Sequence, residues 1–154
     1  MTKTGLYYND ALTGVDVAAR DEVLRYIRES VVPALLREDP AIQKRVAYCQ
    51  VVSTDSVAQC AARFAHADPA NSLICIYAYG SHVQKMVSAV EVYKKTLDGA
   101  VQWNRLTMFR SVEPGVNELL EKKKIVPVLV AFITTSADLN SAVFDNDLHM
   151  FTKQ

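Results

Sequence analysis

Hydrophobic positions along the chain change their period several times, and each change marks an element. Residues 1–12 carry no period and read as extended or loosely packed. The pattern then becomes helical, with Val23, Ile27, Val31 and Leu35 recurring every fourth residue and Leu24 beside them. This spacing predicts a helix over about residues 16–37, capped by Asp16 and bent or divided at Pro33, which cannot donate to the preceding turn. REDP (37–40) ends it. KRVAYCQVV (44–52), rich in valine and aromatic character, reads as a strand. STD (53–55) offers N-caps for a helix whose face is Val57, Cys60, Ala61 and Phe64.

LICIYAY (73–79) is a continuous apolar run, as expected of a strand covered on both faces. Gly80 breaks it, and Ser81 can cap the next helix. Val83, Met86, Val87, Val90, Tyr93 and Leu97 form that helix's stripe, which Asp98-Gly99 closes. AVQWNRLTMF (100–109) is strand-like in two phases. Val101 and Trp103 share one and Leu106 and Met108 the other, so a bulge near Asn104-Arg105 would reconcile them. SVEPGVNELLEKKK (111–124), with a turn at Pro114-Gly115, joins this strand to IVPVLVAFIT (125–134). Beyond Ala137 the chain is polar, with scattered Val143, Phe144 and Phe151. The order is one extra helix, then strand–helix–strand–helix–strand–strand.

At 154 residues, half of them hydrophobic, the chain suits one domain with a real core. No run of about 18 apolar residues is present to span a membrane, and the N-terminus lacks the basic-then-apolar order of a signal peptide. Cys49, Cys60 and Cys75 are odd in number, lie in apolar stretches and form no CxxC. They read as reduced thiols of an intracellular protein, cytoplasmic or nuclear, with no metal role. Net charge is zero, but residues 44–135 carry 11 basic and 7 acidic side chains, a net of +4, between two flanks of −2 each. A mildly basic centre is compatible with a polyanionic partner.

Catalytic and cofactor motifs are missing. AYGSHVQK has a single glycine, too few for backbone amides to cradle a nucleotide phosphate, and its lysine is not placed as in GxxxxGK[ST]. His66, His82 and His149 each stand alone, and neither GxSxG nor HExxH occurs. No catalytic residue, metal site or cofactor is assigned. Basic residues are more coherent. Lys85 lies in the first turn and a half of the helix after Gly80, Arg105 and Arg110 lie on the third strand, and Lys122, Lys123 and Lys124 begin the last. If those two strands pair as a long hairpin, the charges line one arm suited to a phosphate backbone. Equally, the three lysines can be a solvated patch that protects a strand end from aggregation. Tyr77, Tyr79 and Trp103 could stack on bases if exposed, but a core role is the commoner fate.

The stretch ICIYAYGSHVQKMVSAVEVYKK resembles the diagnostic part of the Alba domain: an apolar strand, a glycine-bearing turn, and a helix of small and β-branched residues leading to a glutamate. Gly80 falls at the turn glycine, Val83 and Val87 at inward helical positions, and Val90-Glu91 at the valine-glutamate step. The resemblance covers residues 44–135 and leaves residues 1–43 and 136–154 as an N-terminal extension and a C-terminal tail. It implies an α+β fold, an α/β two-layer sandwich, and a dimer built on the second helix of the domain through Val83, Val87 and Val90. It also implies RNA or DNA as ligand, and homo- or heterodimer formation with another Alba-like chain. Members include chromatin proteins, translational regulators and subunits of RNase P and MRP. Lys85, His82, Arg105, Arg110 and Lys122 to Lys124 are the positions onto which nucleic-acid contacts carry over. At the start of the domain's first helix this chain has Ser53, Thr54 and Asp55 where the family often has lysine. Beside the glycine it has Tyr79, Ser81 and His82 where the family commonly has arginine. Two usual contact regions are therefore depleted, which points to a basic partner supplying the rest. The rival reading is a protein-interaction or scaffold subunit of the same fold without direct nucleic-acid contact.

Overall fold

A computed structural model describes residues 3–114, 122–144 and 151–154. The fold is mixed α+β. In chain order the elements are β1 (Gly5–Tyr8), β2 (Ala11–Leu12), α1 (Arg20–Tyr26), a π-helical stretch (Ile27–Val31), α2 (Val32–Leu35) and α3 (Pro40–Gln43). Then follow β3 (Val46–Gln50), α4 (Val57–Phe64), β4 (Leu73–Tyr79), a 3-10 turn (Gly80–His82), α5 (Val83–Lys94), β5 (Val101–Glu113), β6 (Lys122–Thr134), α6 (Ala137–Phe144) and β7 (Thr152–Lys153). One seven-stranded sheet runs in the order β2-β1-β5-β6-β4-β3, with β7 on β5.

The sheet has two buried faces, which is why all of LICIYAY is buried. On one face Leu73, Cys75 and Tyr77 pack with Val128, Val130 and Phe132 beneath α1, α2 and α6. On the other, Ile74, Ile76 and Ala78 join Ala131 and Ile133 beneath α4 and α5. Sheet plus α4 and α5 make two layers, and the terminal segments add a third that the two-layer expectation did not include. Tyr77, Tyr79 and Trp103 are all core residues, and the three cysteines are free thiols.

Several local expectations need correction. Of the two readings for the N-terminal residues the extended one holds and the loose one does not: Gly5–Tyr8 pairs with β5, and Leu6 is buried. Four residues are too few to show a period, so only pairing reveals them. Asp16 does not cap the helix. Its carboxylate accepts from Ala18 N, and the helix begins at Arg20 with no side-chain cap. Pro33 does divide the pattern, and the turn before it widens so that Val32 N–H donates to Ile27 O. Pro40 starts α3 instead of merely ending its predecessor, with Asp39 accepting from Ala41 N. The cap of α4 is Ser56, one residue beyond the candidates, in a capping box with Gln59. Ser81 lies within the 3-10 turn, and α5 has no side-chain cap.

No bulge interrupts β5. Its register with β6 is constant from Val101↔Thr134 to Glu113↔Lys122. The two phases are the two faces of one regular strand: Val101, Trp103 and Phe109 share the covered face, and Leu106 and Met108 lie on the exposed one. Trp103 stacks on Phe144 of α6 at 5.0 Å between centroids, and Phe109 packs edge-on against Tyr8. Leu106 and Met108 face the opposite side, beyond the reach of the helices. Of the tail, Phe144 and Phe151 join the same cluster, with Phe151 against Phe132 and Phe144. Of the expected turn at Pro114-Gly115, Gly115 lies outside the described residues, as does His149.

Candidate nucleic-acid interface

β5 and β6 are each 13 residues long. β4 accompanies β6 only from Val128 to Ile133, so Lys122–Pro127 has β5 as its sheet partner. That portion extends past the α4–α5 layer as an arm. β1 pairs with the outer edge of β5 from Arg110 to Val112 and widens it to three strands.

Lys122, Lys123 and Lys124 are exposed at the start of β6, opposite Glu113, Val112 and Ser111. Because side chains alternate along a strand, Lys123 shares a face with Arg110, and Lys122 and Lys124 share the other with Arg105. Arg105 sits opposite Val130 on the covered face and is half-buried. Arg110 lies on the open face opposite Ile125. Its guanidinium is 5.0 Å from the Tyr7 ring centroid and 3.9 Å from the Asp10 carboxylate. The arm thus carries charge on both faces.

The Gly80 corner is built differently. Gly80 takes φ +63°, a left-handed backbone that turns β4 into α5 without the strain a side chain would add. Lys85 does not reach free amides at the helix tip. Its Nζ donates to Ser53 O at 2.9 Å and ties α5 to the loop after β3. His82 accepts through Nδ1 from Arg20 at 2.9 Å. Arg20 also donates to Val51 O at 2.8 Å, and its guanidinium lies 5.5 Å from the Tyr79 ring centroid. Burial first, then Arg20 and Lys85, holds His82 below its ordinary pKa. Sequence reasoning missed Arg20. No local signal joins a helix residue to a turn 62 positions later, yet it brings a cation to a corner whose own residues lack arginine.

The three valines of α5 divide. Val90 is buried, Val83 is half-buried and Val87 is 46% exposed. Val87 borders a cleft of about 50 Å³ with Leu129 and Asn104. From Leu129 an apolar row continues along the open face of the arm: Leu106 is 66% exposed, Met108 54% and Ile125 65%. Glu91, the motif's glutamate, accepts from Gln154 Nε2 at 3.4 Å, and Gln154 accepts from Asn104 Nδ2 at 2.7 Å, which fastens β5 to α5. Among the described residues no His/Cys/Asp/Glu group could hold a metal ion. No helix in the described residues is long and apolar enough to cross a membrane.

A family model described as Alba matches residues 52–110, which span α4, β4, the Gly80 corner, α5 and most of β5. The chain is also 32% identical, over 161 aligned positions, to the Ribonucleases P/MRP protein subunit POP6 of Saccharomyces cerevisiae, covering 97% of this chain and 98% of that relative. The match therefore runs through the N-terminal hairpin and helix and the C-terminal cluster as well as the motif. The chain belongs to the Alba family.

Proposed function

We propose that this chain is a non-catalytic, RNA-binding subunit of a ribonucleoprotein of the RNase P/MRP kind, acting as one half of an Alba-type dimer inside the cell, in nucleus or cytoplasm. The observation that carries the reading is the arm. Three consecutive exposed lysines project where helices do not cover the sheet, a placement suited to sequence-independent phosphate contacts, and Arg110 lies on the same arm. The near-full-length likeness to a ribonuclease P/MRP subunit supports RNA over DNA. Residues 44–135 would form the binding unit. The flanking segments would serve as its cover, Arg20 from the N-terminal helix restoring charge at the Gly80 corner.

Exposed Val87, together with Leu106 and Met108, supports a dimer interface along α5 and the base of the arm. The experiment is isolation of the chain from its native cell with and without ribonuclease. The reading expects an RNA together with other protein subunits, the RNA contact being lost on digestion. Recovery of the same proteins with no RNA in either sample favours the scaffold role and sinks the RNA-binding one.

A further inference from the structure

We infer that the open face of the arm holds a stacking platform for an unpaired nucleobase, built on Arg110 and completed by Tyr7 of the N-terminal strand. This rests on the nucleic-acid-binding reading and names a second kind of contact within it.

Register places the residues. Tyr7 pairs with Arg110, and Arg110 with Ile125, so one row crosses three strands on a single face. Lys123 lies on the same face, opposite Val112. Two features make the row a platform and not a phosphate clamp. Tyr7 Oη donates to Lys3 O at 2.6 Å, which fixes the ring, and the Arg110 guanidinium lies 5.0 Å from that ring's centroid. The cation thus lies over the ring, and its side chain is still 43% exposed. Asp10 stands 3.9 Å from the guanidinium, so an incoming phosphate would meet a carboxylate there. A neutral base would not. Bases stack on guanidinium planes as well as on aromatic rings, and exposed Ile125 extends the apolar floor beside the stack. Phosphate contact is left to the lysines nearer the arm's end.

The experiment uses the full chain, a single-stranded RNA carrying one 2-aminopurine, the same strand annealed to its complement, and the matching single-stranded DNA. Unmodified protein should quench the fluorophore in both single strands and not in the duplex. Tyr7→Leu and Arg110→Lys should each weaken single-strand binding by about tenfold and abolish the quench, because a stacked base contributes on that order. Duplex binding should change by less than about twofold, since charge and backbone contacts persist. Tyr7→Phe, which keeps the ring, should retain the quench. Arg110→Lys keeps the charge at a partly exposed site, so it reports even where Tyr7→Leu fails to fold. Equal weakening of single strand and duplex, or an unchanged quench in the variants, overturns the platform and leaves the basic arm standing. Absence of binding by unmodified protein to any strand at about 50 mM salt overturns both.

Discussion

Arg20, in the first turn of the N-terminal helix, donates to Nδ1 of His82 at 2.9 Å and so fastens that helix to the corner where β4 becomes α5. A guanidinium has no acceptor, which leaves the His82 proton on Nε2. The same guanidinium binds Val51 O, so one side chain joins α1, the end of β3 and the Gly80 turn. Arg20→Met keeps much of the stem but orphans a carbonyl and an imidazole nitrogen. We predict a loss of about 1–2 kcal/mol by urea denaturation, at the lower end of the range for charged hydrogen bonds because the site is only half-buried. A loss under about 0.3 kcal/mol means the bond is decorative.

His82 makes stability pH-dependent in a defined direction. Its native pKa lies below the ordinary 6.5 through burial, then Arg20, then Lys85. Between the lowered native value and 6.5 the unfolded chain binds the proton and the native chain resists it. Stability therefore holds above about 6.5 and falls as pH drops through that window. Thermal melts at pH 7.5 and 5.5 should show a smaller acid loss in His82→Asn, whose amide can still accept from Arg20. An identical loss in both proteins assigns the effect to other groups.

Legibility in the sequence followed burial. β4 was readable because a layer covers each of its faces along its whole length, and the α4 face because it packs on one layer, so Val57, Cys60, Ala61 and Phe64 keep a single period. β5 was readable as a strand but not in detail. Its covered face keeps one phase, while exposed Leu106 and Met108 on the other face put apolar residues in the second and imitate a phase change. GLYY, only four residues long, and the last strand, TK, only two, carry no period and exist by pairing with β5. The site followed the same logic. The arm lysines were visible as a run, whereas Arg20 at His82 and Tyr7 at Arg110 join segments far apart in sequence.

Val87 offers a test of the proposed dimer that spares the fold. It is 46% exposed, so Val87→Asp should leave the thermal midpoint of the isolated chain within about 2 °C, as surface substitutions usually do. Sedimentation of the chain with its co-purifying Alba-type partner, or alone where none exists, should change from dimer to monomer. A variant that stays dimeric moves the interface away from α5.

Tyr93 is the reverse case. Its ring packs on Phe64 at 5.9 Å, while its Oη is buried with no hydrogen-bond partner among the described residues. Burial chiefly, with Cys49 and Asp68, pushes its pKa to about 12. Tyr93→Phe should be neutral or stabilising by up to about 1 kcal/mol, because an unsatisfied buried hydroxyl costs more than it gains. A destabilisation above that size reveals a bond that the hydroxyl makes.

The central claim is that the arm binds RNA through its lysines. The measurement is the salt dependence of binding to a structured RNA, from about 50 to 200 mM, for the unmodified chain and for the variant combining Lys122→Glu, Lys123→Glu and Lys124→Glu. Three lost phosphate contacts should lower affinity by at least about tenfold at the lower salt and make the log–log slope shallower by about 2, with the circular dichroism spectrum unchanged. Equal affinity and equal slope for the two proteins contradict the account.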